Sequence, residues 1–308
     1  MESEQQRLID EIVWTSPAKN YCTWPRRSTS AAGHPEIATL KSRLRRIWNA
    51  GDYDRLSRYM EGGAEGFYDR LAVPPGSKLL DVACGSGQLA LIAARNGVDA
   101  TGVDVADHAV ERARERARVE GLSAHFQEAD AEELPFADAS FDVVTSLVGA
   151  MFAPRPELVA RELLRVCRPG GMIAMANWTA RGFVGQLFKT VSEFVAPSEM
   201  PAPVLWGDEA TVRERFGAGV SSLELTRRNT VLDFPFPPSE VVRFFRLYHG
   251  PTNRAFASLN RAGRVNLQTE MEELWSSHNL AKGSLTKVDA EWLEVIAIRV
   301  LARRARMW

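Results

Sequence analysis

Between residues 78 and 177, short apolar runs alternate with longer segments of helical periodicity, and this alternation limits the fold more than any other feature of the chain. The apolar runs predict strands at residues 79–83, 100–103, 124–128, 141–147 and 172–177. Helical patterns lie between them at residues 88–96, 107–120 and 156–166. Strands that are joined by helices pair in parallel, so this segment predicts an α/β fold with a doubly wound sheet covered by helices on both faces.

The remaining chain has a different pattern. Residues 1–35 are weakly patterned and predict a flexible lead-in. Helical periodicity occurs on both sides of the alternating segment, at residues 35–51, 56–71, 182–195, 209–216 and 239–280. Two further strands are predicted at residues 222–234 and 292–301. On the helix at 107–120, Val110, Ala113 and Ala117 form the predicted buried stripe, because the rest of that segment is charged.

A glycine-rich loop follows the first predicted strand, in the run Leu79-Leu80-Asp81-Val82-Ala83-Cys84-Gly85-Ser86-Gly87. Glycine at 85 and 87 lets the backbone approach a ligand without an intervening Cβ, and the N-terminus of the following helix favours a negative group. The pattern Gly85-x-Gly87-x-x-Ala90 also satisfies the dinucleotide fingerprint. The loop therefore indicates a nucleotide-containing ligand and leaves a nicotinamide cofactor open.

Two acidic residues narrow the choice of ligand. Asp81 stands just before the glycines, where its carboxylate would repel a pyrophosphate but could pair with the ammonium of an amino-acid group. Asp104 closes the second strand, close to the offset of about 20 residues at which an acid accepts hydrogen bonds from ribose hydroxyls. Together they predict a ligand that combines an amino-acid group with a nucleoside.

With three further segments, this run resembles the class I S-adenosylmethionine-dependent methyltransferases. The segments are residues 129–136, 141–146 and 164–171. Two stretches within them, 130–136 and 165–171, are most similar to the methyltransferases of quinone biosynthesis and of bacterial small molecules. The resemblance covers residues 78–178. It implies a Rossmann-like doubly wound sheet, mostly parallel with an antiparallel last strand, with N-terminal helices and a helical insertion before that strand. It also implies S-adenosyl-L-methionine as the methyl donor and S-adenosyl-L-homocysteine as the product.

The resemblance also implies a set of cofactor contacts. Asp81 would meet the ammonium group, Asp104 the ribose and Asp130 the adenine amino group. The full set comprises Asp81, Ala83, Gly85, Gly87, Asp104, Val105, Asp130, Ala131, Ser146 and, from the N-terminal helices, Tyr53. The implied domain boundaries are a helical lid at 36–77 and a methyltransferase domain at 78–308, in which 182–216 and 238–285 form substrate-cap helices.

Aromatic and sulfur-containing side chains gather after predicted strands four and five and in the helical insertion. They predict either a pocket for the methyl acceptor or ordinary core packing, and they are Met151, Phe152, Trp178, Phe183 and Phe244. His249 follows a predicted helix, so it is either an exposed C-terminal cap or a catalytic base, with Tyr248 as a second candidate. A base is needed only if the acceptor must lose a proton, because a sulfonium methyl group is already activated.

The predicted reaction is therefore methyl transfer to an oxygen, nitrogen, sulfur or carbon atom of a small-molecule acceptor. An alternative within the family is carbon methylation of a quinone precursor. Two alternatives come from other classes of protein: a nicotinamide-dependent oxidoreductase and a non-catalytic protein that binds S-adenosylmethionine.

Composition limits the partners of the chain. A formal net charge of −1 gives no overall attraction to nucleic acid or to an anionic membrane. The three cysteines, Cys22, Cys84 and Cys167, form no Cys-x-x-Cys pair, and no metal site is predicted. The first residues lack the apolar stretch of a signal peptide. We therefore expect a cytoplasmic protein that acts as a monomer or homodimer.

Overall fold

The computed structural model describes residues 35–195 and 200–301. Residues 1–34 of the predicted lead-in therefore lie outside the described residues.

The strands are β1 (Lys78–Val82), β2 (Asp99–Asp104), β3 (Ala124–Glu128), β4 (Phe141–Leu147), β5 (Cys167–Trp178), β6 (Val220–Phe234) and β7 (Thr286–Arg299). They form a seven-stranded sheet in the order β3-β2-β1-β4-β5-β7-β6. β1 to β5 pair in parallel, and β7 runs antiparallel to both β5 and β6. The predicted fold class is confirmed.

Helices cover both faces of the sheet and extend before and after its central strands. They are α1 (Pro35–Ala50), α2 (Tyr53–Ser57), α3 (Glu61–Leu71), α4 (Gln88–Arg95), α5 (Asp107–Glu120), α6 (Pro156–Val166), α7 (Phe183–Ser192), α8 (Glu209–Phe216), α9 (Pro238–Tyr248), α10 (Gly250–Ser258) and α11 (Arg261–Ser277). Short 3-10 helices lie at Arg58–Met60, Ala150–Phe152, Pro203–Gly207 and Gly217–Gly219. None of the helices in the described ranges is both long enough and apolar enough to cross a membrane.

The helical block predicted at 239–280 is wrong in one respect, because the structure divides it into α9, α10 and α11. The first break falls at His249, whose backbone is extended, and Pro251 then lies in the first turn of α10. The second break falls at Asn260, whose side chain accepts a hydrogen bond of 2.9 Å from the amide of Gly263. Both breaks follow ordinary rules for helix ends, so three short helices replace one long helix.

The centre of the sheet explains where a ligand can bind. β1 and β4 are buried between helices, and Leu79, Leu80 and Val144 are fully shielded from solvent. The chain moves outward from β1 to β3 and then returns to place β4 on the other side of β1. At such a reversal the loops after the two central strands separate and leave a crevice at their carboxyl ends.

Candidate functional site

The crevice between the ends of β1 and β4 is part of a cavity of about 270 Å³. The loops after β1, β2 and β3 form one half of its wall, which we call the acidic half after Asp81, Asp104 and Asp130. The elements from β4 to β7 and helices α7 and α9 form the other half, which we call the aromatic half after Phe152, Trp178 and their neighbours. The helices before the sheet contribute to both halves.

The glycine-rich loop turns sharply at the end of β1. Ala83, Gly85 and Gly87 all have positive φ angles, of 57°, 54° and 80°. A Cβ placed on Gly85 would meet nothing within 4 Å, so the cavity is open in front of this residue. A Cβ on Gly87 would lie 2.8 Å from the ring of Phe126, and Gly87 does not line the cavity. Packing against Phe126 at the first helical turn therefore favours glycine at position 87, and its role as a cofactor contact stays a prediction.

Ala83 occupies a backbone region that costs an L-residue about 1–2 kcal/mol relative to the common conformations. Its methyl group has room because Gly149, in the loop after β4, has no side chain. A Cβ on Gly149 would lie 2.7 Å from the Cβ of Ala83 and 2.3 Å from its carbonyl oxygen. The two loops that border the crevice are therefore in direct backbone contact.

Asp104 connects the end of β2 to the glycine-rich loop. Its Oδ2 accepts a hydrogen bond of 2.8 Å from the amide of Gly85, and its Oδ1 accepts one of 2.9 Å from the amide of Ala106. Withdrawal from water raises the pKa of this carboxyl, and the backbone amides offset the effect only in part. Each carboxylate oxygen retains capacity for a further donor such as a ribose hydroxyl.

Asp81 is more deeply buried, with 2% of its surface exposed. Thr145 donates a hydrogen bond of 3.2 Å to its Oδ1. Burial raises the pKa of Asp81 to about 7, and the nearby charge of Asp104 adds to the shift. Among the described residues neither Asp81 nor Asp104 forms an ion pair with a lysine or arginine. A cationic ligand would therefore offset the cost of burying both carboxylates.

Asp130 lies after β3 and has a partner within the chain. Nζ of Lys41, on α1, lies 2.5 Å from Oδ2 of Asp130 and 2.5 Å from Oε2 of Glu132. The side chain of Glu132 is fully buried and also accepts a hydrogen bond of 2.7 Å from Nε of Arg155. Sequence analysis did not identify Lys41 or Glu132, because their partners are distant in the chain.

The aromatic half contains two of the predicted pocket residues, Phe152 and Trp178. The neighbour of Phe244 in the helical insertion, Phe245, also lies on this wall. Sequence analysis missed the other large aromatic side chains of the wall, which are Trp48, Phe188, Phe234 and Trp292. Trp178 and Trp292 face each other across the β5–β7 pair, with ring centroids 5.8 Å apart. Every charged residue of the described wall, namely Lys41, Asp81, Asp104 and Asp130, belongs to the acidic half.

Three predicted pocket residues lie outside the cavity wall and pack elsewhere. Met151 is buried within the short helix after β4. Phe183 meets the ring of Trp275 edge-on, with centroids 4.4 Å apart. Phe244 packs against Tyr248 at 4.8 Å. These positions favour core packing, the other interpretation that the sequence allowed.

Two further predicted site residues support the wall without lining it. The hydroxyl of Ser146 donates to the carbonyl of Val82 at 2.8 Å and accepts from the amide of Ala150 at 2.9 Å, so it holds β4 against β1. The Tyr248 hydroxyl accepts a hydrogen bond of 3.3 Å from Arg55 on the outer side of α9. Tyr248 is not part of the described cavity wall, and its catalytic role stays a prediction.

The remaining predicted contacts lie on the wall: Tyr53, Ala83, Gly85, Val105, Ala131 and His249. His249 is buried, which excludes its interpretation as an exposed helix cap. Its Nδ1 lies 2.8 Å from the hydroxyl of Thr252, and burial lowers its pKa to about 4. The ring of Tyr53 meets that of His249 edge-on, with centroids 5.9 Å apart, and burial raises the pKa of the Tyr53 hydroxyl.

Within 35–195 and 200–301, no group of three or more His, Cys, Asp or Glu side chains could hold a metal ion.

The central strands and helices of the chain match a known protein family. Residues 80–175 match a family described as "Methyltransferase domain". An uncharacterized protein of Mycobacterium tuberculosis is 36% identical over 245 residues, which cover 78% of this chain and 89% of the relative. The 27-O-demethylrifamycin SV methyltransferase of Amycolatopsis mediterranei is 35% identical over 167 residues, which cover 51% of this chain and 60% of that enzyme. The crystal structure of the YcgJ protein from Bacillus subtilis shares the fold, with a TM-score of 0.54, 18% identity and coverage of 78% of this chain and 100% of that one.

Proposed function

Because the chain belongs to the class I S-adenosylmethionine-dependent methyltransferases, we propose that it methylates an oxygen of a neutral, largely apolar small molecule. The methyl donor would bind in the acidic half of the cavity and the acceptor in the aromatic half.

One observation carries the cofactor assignment. Asp81 and Asp104 are two carboxylates withdrawn from water, and neither has a cationic partner among the described side chains. A pyrophosphate would add negative charge to this site, whereas an amino-acid ammonium and a sulfonium would supply the missing positive charge. S-adenosylmethionine therefore fits the residues present, and it would supply an electrophilic methyl group. The nicotinamide alternative does not fit them.

The aromatic half supports a neutral acceptor. Trp178 and Trp292 are almost fully buried there, and the described wall of this half contains no charged side chain. A charged acceptor would lose its hydration without gaining a partner, which is unfavourable. Support for oxygen as the attacking atom comes from the similarity to the 27-O-demethylrifamycin SV enzyme, whose name specifies an O-methyl position.

The chain's own residues would act mainly by positioning. Helix α1 contributes Trp48 to the wall, and the Trp48 ring lies 5.1 Å from that of Phe152 on the opposite loop. Contacts of this kind exclude water and hold an apolar molecule near the boundary between the two halves. Alignment of a nucleophile with an activated methyl group can provide a large part of the rate enhancement.

Calorimetric titration tests the cofactor assignment. We expect S-adenosylmethionine to bind the wild-type protein, and we expect Asp104→Ala to weaken binding at least tenfold, because it removes the carboxylate that holds Gly85 and faces the ribose position. Asp107→Ala, at the exposed start of α5, is the matched control and should bind normally. Equal affinity of the two variants, or heat from a nicotinamide dinucleotide, would contradict the assignment.

A methyl-transfer screen tests the acceptor class. Alcohols, phenols, amines, thiols and quinone precursors would be incubated with the enzyme and S-adenosylmethionine, and products would be read by mass spectrometry. O-methylated neutral products support the proposal. Carbon methylation of a quinone precursor would favour the alternative within the family, and cofactor binding without any methyl transfer would favour a binding protein.

A further inference from the structure

His249 is the one imidazole on the described cavity wall, and its Nδ1 is held by Thr252. From this pair we propose that His249 presents a fixed N–H donor at Nε2 to an oxygen of the methyl acceptor, and that Thr252 sets the tautomer. The inference deepens the proposed function and rests on it for the identity of the bound molecule. It replaces the base that the sequence suggested with a residue that determines specificity.

The protons of the two side chains decide the tautomer. A neutral imidazole has one N–H, and a threonine hydroxyl has one proton to donate. Thr252 is 1% exposed, and within the described ranges its hydroxyl has no hydrogen-bond acceptor other than Nδ1 of His249. If Nδ1 carried the proton, this buried hydroxyl would have nothing to donate to, which is costly inside a protein. Thr252 therefore donates to Nδ1, and the imidazole proton lies on Nε2.

The imidazole is also neutral at physiological pH, because burial lowers its pKa to about 4. Nε2 has no hydrogen-bond partner in the described part of the chain, and the protein does not fully enclose this atom. Nε2 therefore remains accessible, and the residue lines the cavity. The neutral Nε2–H group can donate a hydrogen bond to a lone pair on an oxygen atom. Nε2 already carries a proton, so it cannot remove one from the acceptor.

Backbone contacts fix the direction of this donor. His249 lies between α9 and α10, and the preceding carbonyl, of Tyr248, accepts a hydrogen bond of 2.9 Å from the amide of Asp52. On the other side, a Cβ on Gly250 would lie 2.4 Å from the carbonyl oxygen of Ile47, so the chain is pressed against α1. The His249 backbone is thus held on both sides by the N-terminal helices.

Tyr53 places the donor near the boundary of the two halves. Its ring contacts His249, and the charge of Asp104 acts on its hydroxyl. An acceptor that reaches His249 is therefore close to the acidic half. We conclude that this molecule carries a carbonyl, ether or hydroxyl oxygen near the atom that is methylated.

Nitrogen NMR of the free enzyme tests the tautomer without any acceptor. The chain has five histidines, and the signals that disappear in His249→Gln identify the residue. We expect the chemical shift of an unprotonated nitrogen at Nδ1 and of a protonated one at Nε2. Thr252→Val should abolish this preference, and Thr252→Ser should retain it. A protonated Nδ1 in the wild-type protein would overturn the inference whether or not the enzyme methylates an alcohol.

Kinetics with the alcohol or phenol that reacts fastest in the screen tests the donor role. His249→Leu removes the N–H and should lower kcat/KM for that molecule about tenfold, with an unchanged Kd for S-adenosylmethionine. His249→Gln keeps an N–H but cannot act as a base, and it should recover most of the loss. Loss of about a hundredfold or more in kcat for both variants would show a base and overturn the donor assignment. Thermal unfolding of each variant shows whether it is folded.

Discussion

Nζ of Lys41 and Oδ2 of Asp130 lie 2.5 Å apart, and this ion pair joins α1 to the loop after β3. The same ammonium contacts Glu132, and Arg45, one helical turn later, pairs with Glu128. Helix α1 is thus attached by charge to the acidic half and by Trp48 to the aromatic half. An element that covers both halves can control entry to the cavity.

Loss of the Lys41 charge should loosen α1. We expect Lys41→Met to increase hydrogen exchange of the amides in residues 35–50 about fivefold, which corresponds to about 1 kcal/mol of local stability. The effect has this size because Lys41 is partly buried and its partner Glu132 is fully buried. Exchange would be followed by mass spectrometry of peptides.

Arg46→Met on the same helix is the matched control, because the described contact of Arg46 is with Ser42 in the previous turn of α1. Its exchange should equal that of the wild type. Identical exchange in both variants would mean that apolar packing alone holds α1.

Cofactor binding should release a proton at mildly acidic pH. The pKa of Asp81 is about 7 in the free protein, so the group is largely protonated at pH 6. An ammonium beside it favours the carboxylate and lowers this pKa, so affinity for S-adenosylmethionine should rise between pH 6 and pH 8. Calorimetry at pH 6 in two buffers of different ionisation enthalpy measures the released protons.

The Asp81→Asn variant separates this effect from other groups. It should bind more weakly at pH 8 and release no proton from this position at pH 6. Proton release that is unchanged in Asp81→Asn would assign the titration to a different residue.

The sequence predicts the central strands well because strands buried on both faces are continuous apolar runs. The stripe of Val110, Ala113 and Ala117 on α5 is likewise confirmed. The sequence predicts the last strand at 292–301, whereas β7 begins at Thr286. In its first half the buried Val288 alternates with the exposed Lys287 and Asp289, so no apolar run marks the strand.

The acidic half was accessible to sequence reasoning because Asp81, Asp104 and Asp130 occupy fixed places in ordered motifs at strand ends. The aromatic half was accessible only in part, through Phe152 and Trp178, because its members come from seven elements and meet only in the folded chain. Lys41 and Asp130 are 89 positions apart, and no local pattern relates them. For the same reason, Phe183 and Phe244 could not be distinguished from pocket residues until their packing partners were known.

Gly149→Ala should destabilise the protein by about 1–3 kcal/mol. The added Cβ would lie 2.3 Å from the carbonyl oxygen of Ala83, so one of the two loops must move. Since Ala83 lines the acidic half, binding of S-adenosylmethionine should weaken as well. Urea unfolding and calorimetry measure the two effects.

Gly62→Ala, in α3, is the control because a Cβ there would meet nothing within 4 Å. It should raise the free energy of unfolding by up to about 1 kcal/mol through helix propensity. If both substitutions change the free energy of unfolding and cofactor binding to a similar extent, the contact between the two loops does not exclude a side chain at position 149.

His249 should make the protein less stable in mild acid. Its pKa is about 4 when folded and about 6.5 in a model peptide, so between these values the unfolded chain binds a proton that the folded chain does not. The free energy of unfolding should therefore fall by about 3 kcal/mol as the pH decreases from 6.5 to 4. Asp81 has the opposite effect on the free energy of unfolding over this range. Its pKa is raised, so the folded chain binds a proton there that the unfolded chain does not, and acidification stabilises the fold at this position.

Comparison of variants isolates the contribution of His249. In urea unfolding between pH 4 and pH 7, His249→Gln should lose stability less steeply on acidification than the wild type, because glutamine takes up no proton. His125→Gln, at an exposed position on β3, should keep the wild-type slope. If His249→Gln and the wild type have the same slope, the imidazole takes up its proton over the same pH range in the folded and unfolded chains, and burial does not lower its pKa.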